Sequence, residues 1–203
     1  FLVPYLKLFH EKFPQVPIKV TNATSLGCAS LLAQGKVDLV IANYPNSRMD
    51  SSYIQKRVAS FQDVFLANPA CFPLGQKEVS FSELQQYPIL MLDRKSATSE
   101  FLQRQFLQRQ LELVPEAELS SNDLLVDLAK IGIGIAFIPD YCLQEDMPCL
   151  SILKTVEQMP RRQIVAATNP GLWPSPPTEE FLKLLPDLEQ EETYSDTFTP
   201  QGG

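Results

Sequence analysis

Apolar positions recur along this chain at two spacings, and the alternation between them sets the expected class. In "FLVPYLKLFHEKFP" the residues Leu2, Leu6, Phe9 and Phe13 recur at helical spacing, which predicts a helix from the first residues to Pro14. Phe1, Tyr5 and Leu8 form a second stripe beside the first, so this helix is expected to bury two faces, one on a sheet and one on another subunit. "VPIKV" predicts a short strand, "LGCASLLAQG" a helix, and "KVDLVIANYP" a buried strand with Asn43 and Tyr44 just past its end. "YIQKRVAS" and "FQDVFLANP" predict two strands, "SFSELQQYP" a short capped helix and "ILMLD" a strand. "RKSATS" is expected as a polar loop before a long helix, "EFLQRQFLQRQLEL". A strand "EAELS", a helix "LLVDLAKIG", a buried strand "IGIAFIP", the strands "LSIL" and "RQIVAATN" and a last helix "PTEEFLKLL" follow. Strands and helices alternate, so the class is α/β.

One phrase occurs twice: polar loop, helix, glycine, buried strand. "TNATSLGCASLLAQGKVDLVIANYP" is the first copy and "SSNDLLVDLAKIGIGIAFIPDYC" the second, which suggests two similar lobes with a small sheet each. The second copy carries Gly132 and Gly134 as G-x-G, but a dinucleotide loop needs a strand before its glycines and a helix after them. Here the order is reversed, and Phe137 stands where a third glycine would be. Gly132 and Gly35 read instead as helix stops, because glycine enters the left-handed region without steric cost. Gly134 is expected to start a strand close to neighbouring backbone.

The chemistry lies at the other end of each helix. Thr24 and Ser25 open the first copy, Ser120, Ser121 and Asn122 the second, and Ser96, Thr98 and Ser99 stand in "RKSATSE". Two readings stay open for these residues. They are preferred helix N-caps. They also offer hydroxyls beside unpaired N–H groups at the positive end of a helix dipole, where carboxylate, sulfate or phosphate binds.

Composition narrows the function classes. The chain has 203 residues, is 44% hydrophobic and carries a formal net charge of −7. An acidic chain gains nothing from counterion release on DNA and is not attracted to anionic lipid surfaces. Its apolar runs fall well short of the ~18 residues of a spanning helix, and the expected location is the cytoplasm. Cys28, Cys71, Cys142 and Cys149 are scattered and read as reduced thiols. His10, on the polar flank of the first helix, is the single histidine, so neither a zinc site nor a Ser-His-Asp arrangement is expected. No metal and no cofactor is expected, and the chain reads as a non-enzyme.

"FLVPYLKLFHEKFPQVPIKV", "LLAQGKVDLVIANYP" and "DLLVDLAKIGIGIAFIP", in that order, closely resemble the effector-binding domain of LysR-type transcriptional regulators. The matching family phrases are LLPxLxxFxxxxPxV, LxxGxxDLxI and lVxxGxGIaxLP. The resemblance spans roughly residues 1 to 185 and implies a fold like the type II periplasmic binding proteins, two Rossmann-like α/β lobes joined by two crossover strands. Lobe 1 would be residues 1–65 with 163–186 and lobe 2 residues 66–162, with 187–203 an acidic tail. It implies a small anionic metabolite as effector, bound by Thr24, Ser25, Asn43, Tyr44, Ser96, Thr98, Ser120, Ser121 and Asn122. It also implies a homodimer or higher homo-oligomer built on Phe1, Tyr5 and Leu8. Family domains have a strand and a ligand-contacting loop before the first helix and a winged helix-turn-helix further upstream. DNA would be met through that domain, which is not in this chain. A transport-type solute-binding protein is the alternative with the same fold.

Overall fold

A computed structural model describes residues 1–75, 77–143, 147 and 149–188. The expected acidic tail lies outside the described residues from position 189 on. The chain forms two compact units, one of Phe1–Ser60 with the chain from Gln163 on, the other of Phe61–Arg162.

The first unit carries helices α1 (Val3–Lys12), α2 (Ser25–Ala33) and α6 (Pro176–Leu184). Its sheet has the order β1 (Val40–Tyr44), β8 (Arg162–Ala167), β2 (Ile54–Phe61), with β1 and β8 antiparallel. Period two divides the strand residues between two cores. Val40, Ala42, Val165 and Ala167 face Ala29 and Leu32 of α2. Leu39, Ile41, Ile164 and Ala166 pack with Phe9 of α1 and Phe181 and Leu182 of α6. The first stripe of α1 thus meets a helix as well as the sheet, and the rings of Phe9 and Phe181 lie edge to face at 5.4 Å. Of the second stripe, Phe1 and Leu8 are exposed and Tyr5 is half-buried.

"VPIKV" is not a strand. Residues 16–20 have no ladder partner among the described residues, and Val20 is 62% exposed. Apolar alternation is necessary for a strand, but a neighbour must also take its N–H and C=O groups.

The second unit holds a five-stranded mixed sheet of order β5 (Ala117–Leu119), β4 (Ile89–Leu92), β6 (Ile135–Pro139), β3 (Asp63–Ala67), β7 (Ser151–Leu153). β4 runs parallel to β5 and β6, and β3 antiparallel to β6 and β7. One face packs on α3 (Phe81–Leu84) and α4 (Ala97–Leu107) through Phe65, Phe81, Phe106 and Phe137. The other packs on α5 (Asn122–Lys130) through Leu66, Leu90, Leu125 and Ile138. α4 begins earlier than its apolar spacing indicates, because Ser96 caps it and draws residues 97–99 into the first turn. It also ends earlier, at Leu107, where Gln110 enters the left-handed region at φ 59°.

Both glycine stops are present. Gly35 (φ 64°) donates its N–H to Leu32, and the next residue, Lys36, donates to Leu31. Gly132 (φ 77°) and Ile133 repeat the pattern on Ala129 and Leu128. The two copies of the sequence phrase end their helices in the same Schellman motif.

Candidate functional site

The parallel strands of the second unit place its polar residues at one end of the sheet. β4, β5 and β6 all finish there, at Leu92, Leu119 and Pro139, and β3 begins there, with Asp63 opposite Pro139. Helices that follow the carboxyl ends of parallel strands present their N-termini at that edge. Ser96 is the N-cap of α4, its Oγ accepting the N–H of Ser99 at 3.0 Å. The Ser99 hydroxyl donates to the Leu92 carbonyl, and Thr98 is buried in the same turn. Ser121 caps α5, accepting from the N–H of Leu124 at 3.4 Å. Ser120 is exposed, and the buried Oδ1 of Asn122 meets no donor among the described residues.

The edge also gathers charges that apolar patterning did not reveal. Asp63 and Arg162 form an ion pair at 2.9 Å with both side chains fully buried. The guanidinium lies between the rings of Phe61 and Phe101, and its Nη1 also donates to Thr98 Oγ1 at 3.3 Å. Burial pushes the Asp63 carboxyl above its ordinary range; the Arg162 charge pulls it down and Asp140 pushes it further up. The burial cost outweighs the ion pair, as is common for enclosed charges. Asp140 itself accepts the N–H of Gln62 at 3.0 Å. The signal for this pair in the sequence is modest: a lone charge opens each of the apolar strands "DVFLA" and "RQIVAA".

In the first unit, Thr24 caps α2 by accepting the N–H of Gly27 at 3.1 Å. Ser25 Oγ accepts the N–H of Asn43 at 3.1 Å, and the Ser25 carbonyl accepts from the Asn46 side chain at 2.9 Å. The structure therefore brings Thr24, Ser25 and Asn43 together. Asn43 and Tyr44 are the last two residues of β1, not residues beyond it. The same unit has an apolar groove of about 550 Å³, lined by Leu2, Leu6, Ile18, Val20, Leu39 and Ile41 among others. None of the sequence-predicted ligand residues lines it.

Among the described residues, no group of three or more His, Cys, Asp or Glu is placed to hold a metal ion, and no helix is long and apolar enough to cross a membrane.

Comparison with known proteins gives the family and the fold. The model of the LysR substrate binding domain family matches residues 1–189. A probable RuBisCO transcriptional regulator from Synechocystis sp. (strain ATCC 27184 / PCC 6803 / Kazusa) is 22% identical over 210 residues, covering 99% of this chain and 60% of the relative. The chain thus spans less than two thirds of that relative's length. The CcmR regulatory domain of Synechocystis PCC6803, solved in complex with 2-PG, superposes with a TM-score of 0.79 at 22% identity, over 90% of this chain and 88% of that one. The effector binding domain of QuiR, solved with shikimate, gives 0.73 at 14% identity, over 98% and 92%. The fold is that of LysR effector-binding domains, like the type II periplasmic binding proteins. With a family model spanning nearly all of its described residues, this chain belongs to the LysR substrate-binding domain family.

Proposed function

We propose that this chain is the effector-sensing and dimerising part of a cytoplasmic LysR-type transcriptional regulator, itself without catalytic activity. DNA is then contacted by a separate domain of the full-length protein. The observation that carries the reading is the collection of capped helix starts at strand ends. Ser96, Thr98, Ser121 and Asn122 stand at the carboxyl edge of one sheet, and Thr24 and Ser25 are tied to the end of β1 through Asn43. Such groups suit a small anionic metabolite, with Tyr44 and Ser120 beside them. Family relatives solved with 2-PG and shikimate support this class of ligand. Binding that favours one arrangement of the domain would bias the attached DNA-binding domains by its differential affinity for the two states. A homodimer through Phe1, Tyr5 and Leu8 supplies the pairing that such a regulator needs.

The test is a thermal-shift screen of carboxylates, amino acids and sulfate. A ligand that raises Tm is then titrated into the variant Thr24→Ala/Ser25→Ala/Ser120→Ala. Weakened binding is expected, and full affinity in the triple variant rejects the site assignment.

A further inference from the structure

The Asp63–Arg162 pair is incomplete on both sides. A guanidinium has five N–H donors. In Arg162 the Nη1 corner is used, by Asp63 Oδ2 at 2.9 Å and Thr98 Oγ1 at 3.3 Å. Nε and Nη2 meet no acceptor among the described residues, and Asp63 Oδ1 meets no donor. The Arg162 side chain has no exposed surface, so these donors are not satisfied by bulk water. The rings of Phe61 and Phe101 lie with their centroids 5.0 and 4.8 Å from the guanidinium carbon. What remains is the in-plane Nε–Nη2 edge, the fork that fits the two oxygens of a carboxylate.

This edge belongs to the start of α4. Thr98, which Nη1 touches, is in the first turn of an 11-residue helix. Ser96 takes the N–H of Ser99 through its Oγ and that of Glu100 through its carbonyl. Among the described residues, the N–H groups of Ala97 and Thr98 are the ones left at the positive end of the helix dipole.

We infer that Arg162 is the carboxylate anchor of the effector site, its Nε–Nη2 edge taking both carboxylate oxygens beside the first N–H groups of α4. This rests on the effector-binding reading above and narrows it to ligands bearing a carboxylate. Asp63 holds the guanidinium by one oxygen and leaves the fork open. The unused Asp63 Oδ1 is an acceptor for a hydroxyl or ammonium group on the same ligand, which favours hydroxy and amino acids. The guanidinium is enclosed, so the ligand reaches it only after local movement at the start of α4, and slow association is part of the expectation.

The test is calorimetric titration of the whole chain with benzoate, shikimate, lactate and glycine, and with benzamide and methyl shikimate as uncharged counterparts. A carboxylate is expected to bind, and its uncharged counterpart to bind at least roughly tenfold more weakly. Arg162→Gln should weaken the carboxylate by roughly 10- to 100-fold, and Arg162→Lys, which keeps the charge but not the fork, by less. Asp63→Asn preserves shape and removes a competing anion, so binding of benzoate, which carries no hydroxyl or ammonium group for Asp63 to accept from, should tighten by about tenfold. Binding within threefold of wild type in a folded Arg162→Gln variant overturns the inference. If that variant does not fold, Asp63→Asn decides with benzoate, and unchanged or weaker benzoate affinity overturns it. A chain stabilised only by uncharged ligands keeps the effector reading and rejects the Arg162 anchor. A chain that binds no small molecule in either screen rejects both.

Discussion

Gly132 and Gly134 stand two residues apart and are required for different reasons. At Gly132 the backbone has φ 77°, and an added Cβ would lie 2.3 Å from Cys71 Sγ. At Gly134 the conformation is ordinary, but a Cβ would lie 2.6 Å from the Pro88 carbonyl oxygen and 2.8 Å from Leu90 Cγ. Gly35 has φ 64° and open space around it. Gly35→Ala should therefore cost about 1 kcal/mol, the conformational term alone. Gly134→Ala should cost on the order of 1–3 kcal/mol or more, because the obstructing atom is backbone and cannot rotate away. Urea unfolding checks the order, and Cys71→Ala should recover part of the loss in Gly132→Ala. The thiols differ as sharply. Burial, aided by the charges of Asp123, Asp63 and Asp140, pushes Cys142 up to about 11, against an ordinary value of 9.0. The folded thiol keeps its proton where the unfolded one loses it. The stability this contributes is complete below pH 9 and is lost as pH rises toward 11. Urea midpoints at pH 8 and 10.5 should fall further in the wild type than in Cys142→Ala. Iodoacetamide at pH 8 should reach the exposed Cys71 and Cys149 before Cys142.

At the scale of elements, the helix starts combine two roles that sequence could not separate. Ser96, Ser121 and Thr24 are all true caps, which meets the structural reading of each. Their strengths differ with geometry. Ser96 is buried and bonds at 3.0 Å, whereas Ser121 bonds at 3.4 Å. Ser96→Ala should cost about 1–2 kcal/mol and Ser121→Ala about 0.5 kcal/mol, read from chemical denaturation. Most elements were legible because their apolar period is complete within a few residues, as in "IGIAFIP" and "LLVDLAKIG". The failures have local causes. "VPIKV" has the alternation of a strand but no neighbour to pair with among the described residues, and pairing is not encoded in the segment itself. The start of α4 was hidden because "SATS" is polar. Thr98 and Ser99 are buried nonetheless, Ser99 through its own hydrogen bonds to Leu92 and Ser96.

For the whole molecule, the proposed dimer makes a direct demand on surface chemistry. Phe1 is 54% and Leu8 51% exposed on one side of α1, while Phe9 on the other is buried against α6. Light scattering at micromolar concentration should give a dimer, and Leu8→Glu should shift it toward monomer without lowering the cooperativity of unfolding. A monomeric wild type would reject the homodimer. The residues themselves determined the α/β class, the doubled helix–glycine–strand phrase and the helix starts other than that of α4. All three depend on interactions between residues close along the chain, where spacing and side-chain type suffice. Tertiary structure decided the rest. It gave the two sheets their strand order, left residues 16–20 without a ladder partner among the described residues, and brought Asp63 and Arg162 together across 99 positions of sequence between two phenyl rings. A buried ion pair is a contact between distant residues in a low-dielectric interior. Its existence depends on which strands become neighbours, and no local pattern in a single sequence carries that information.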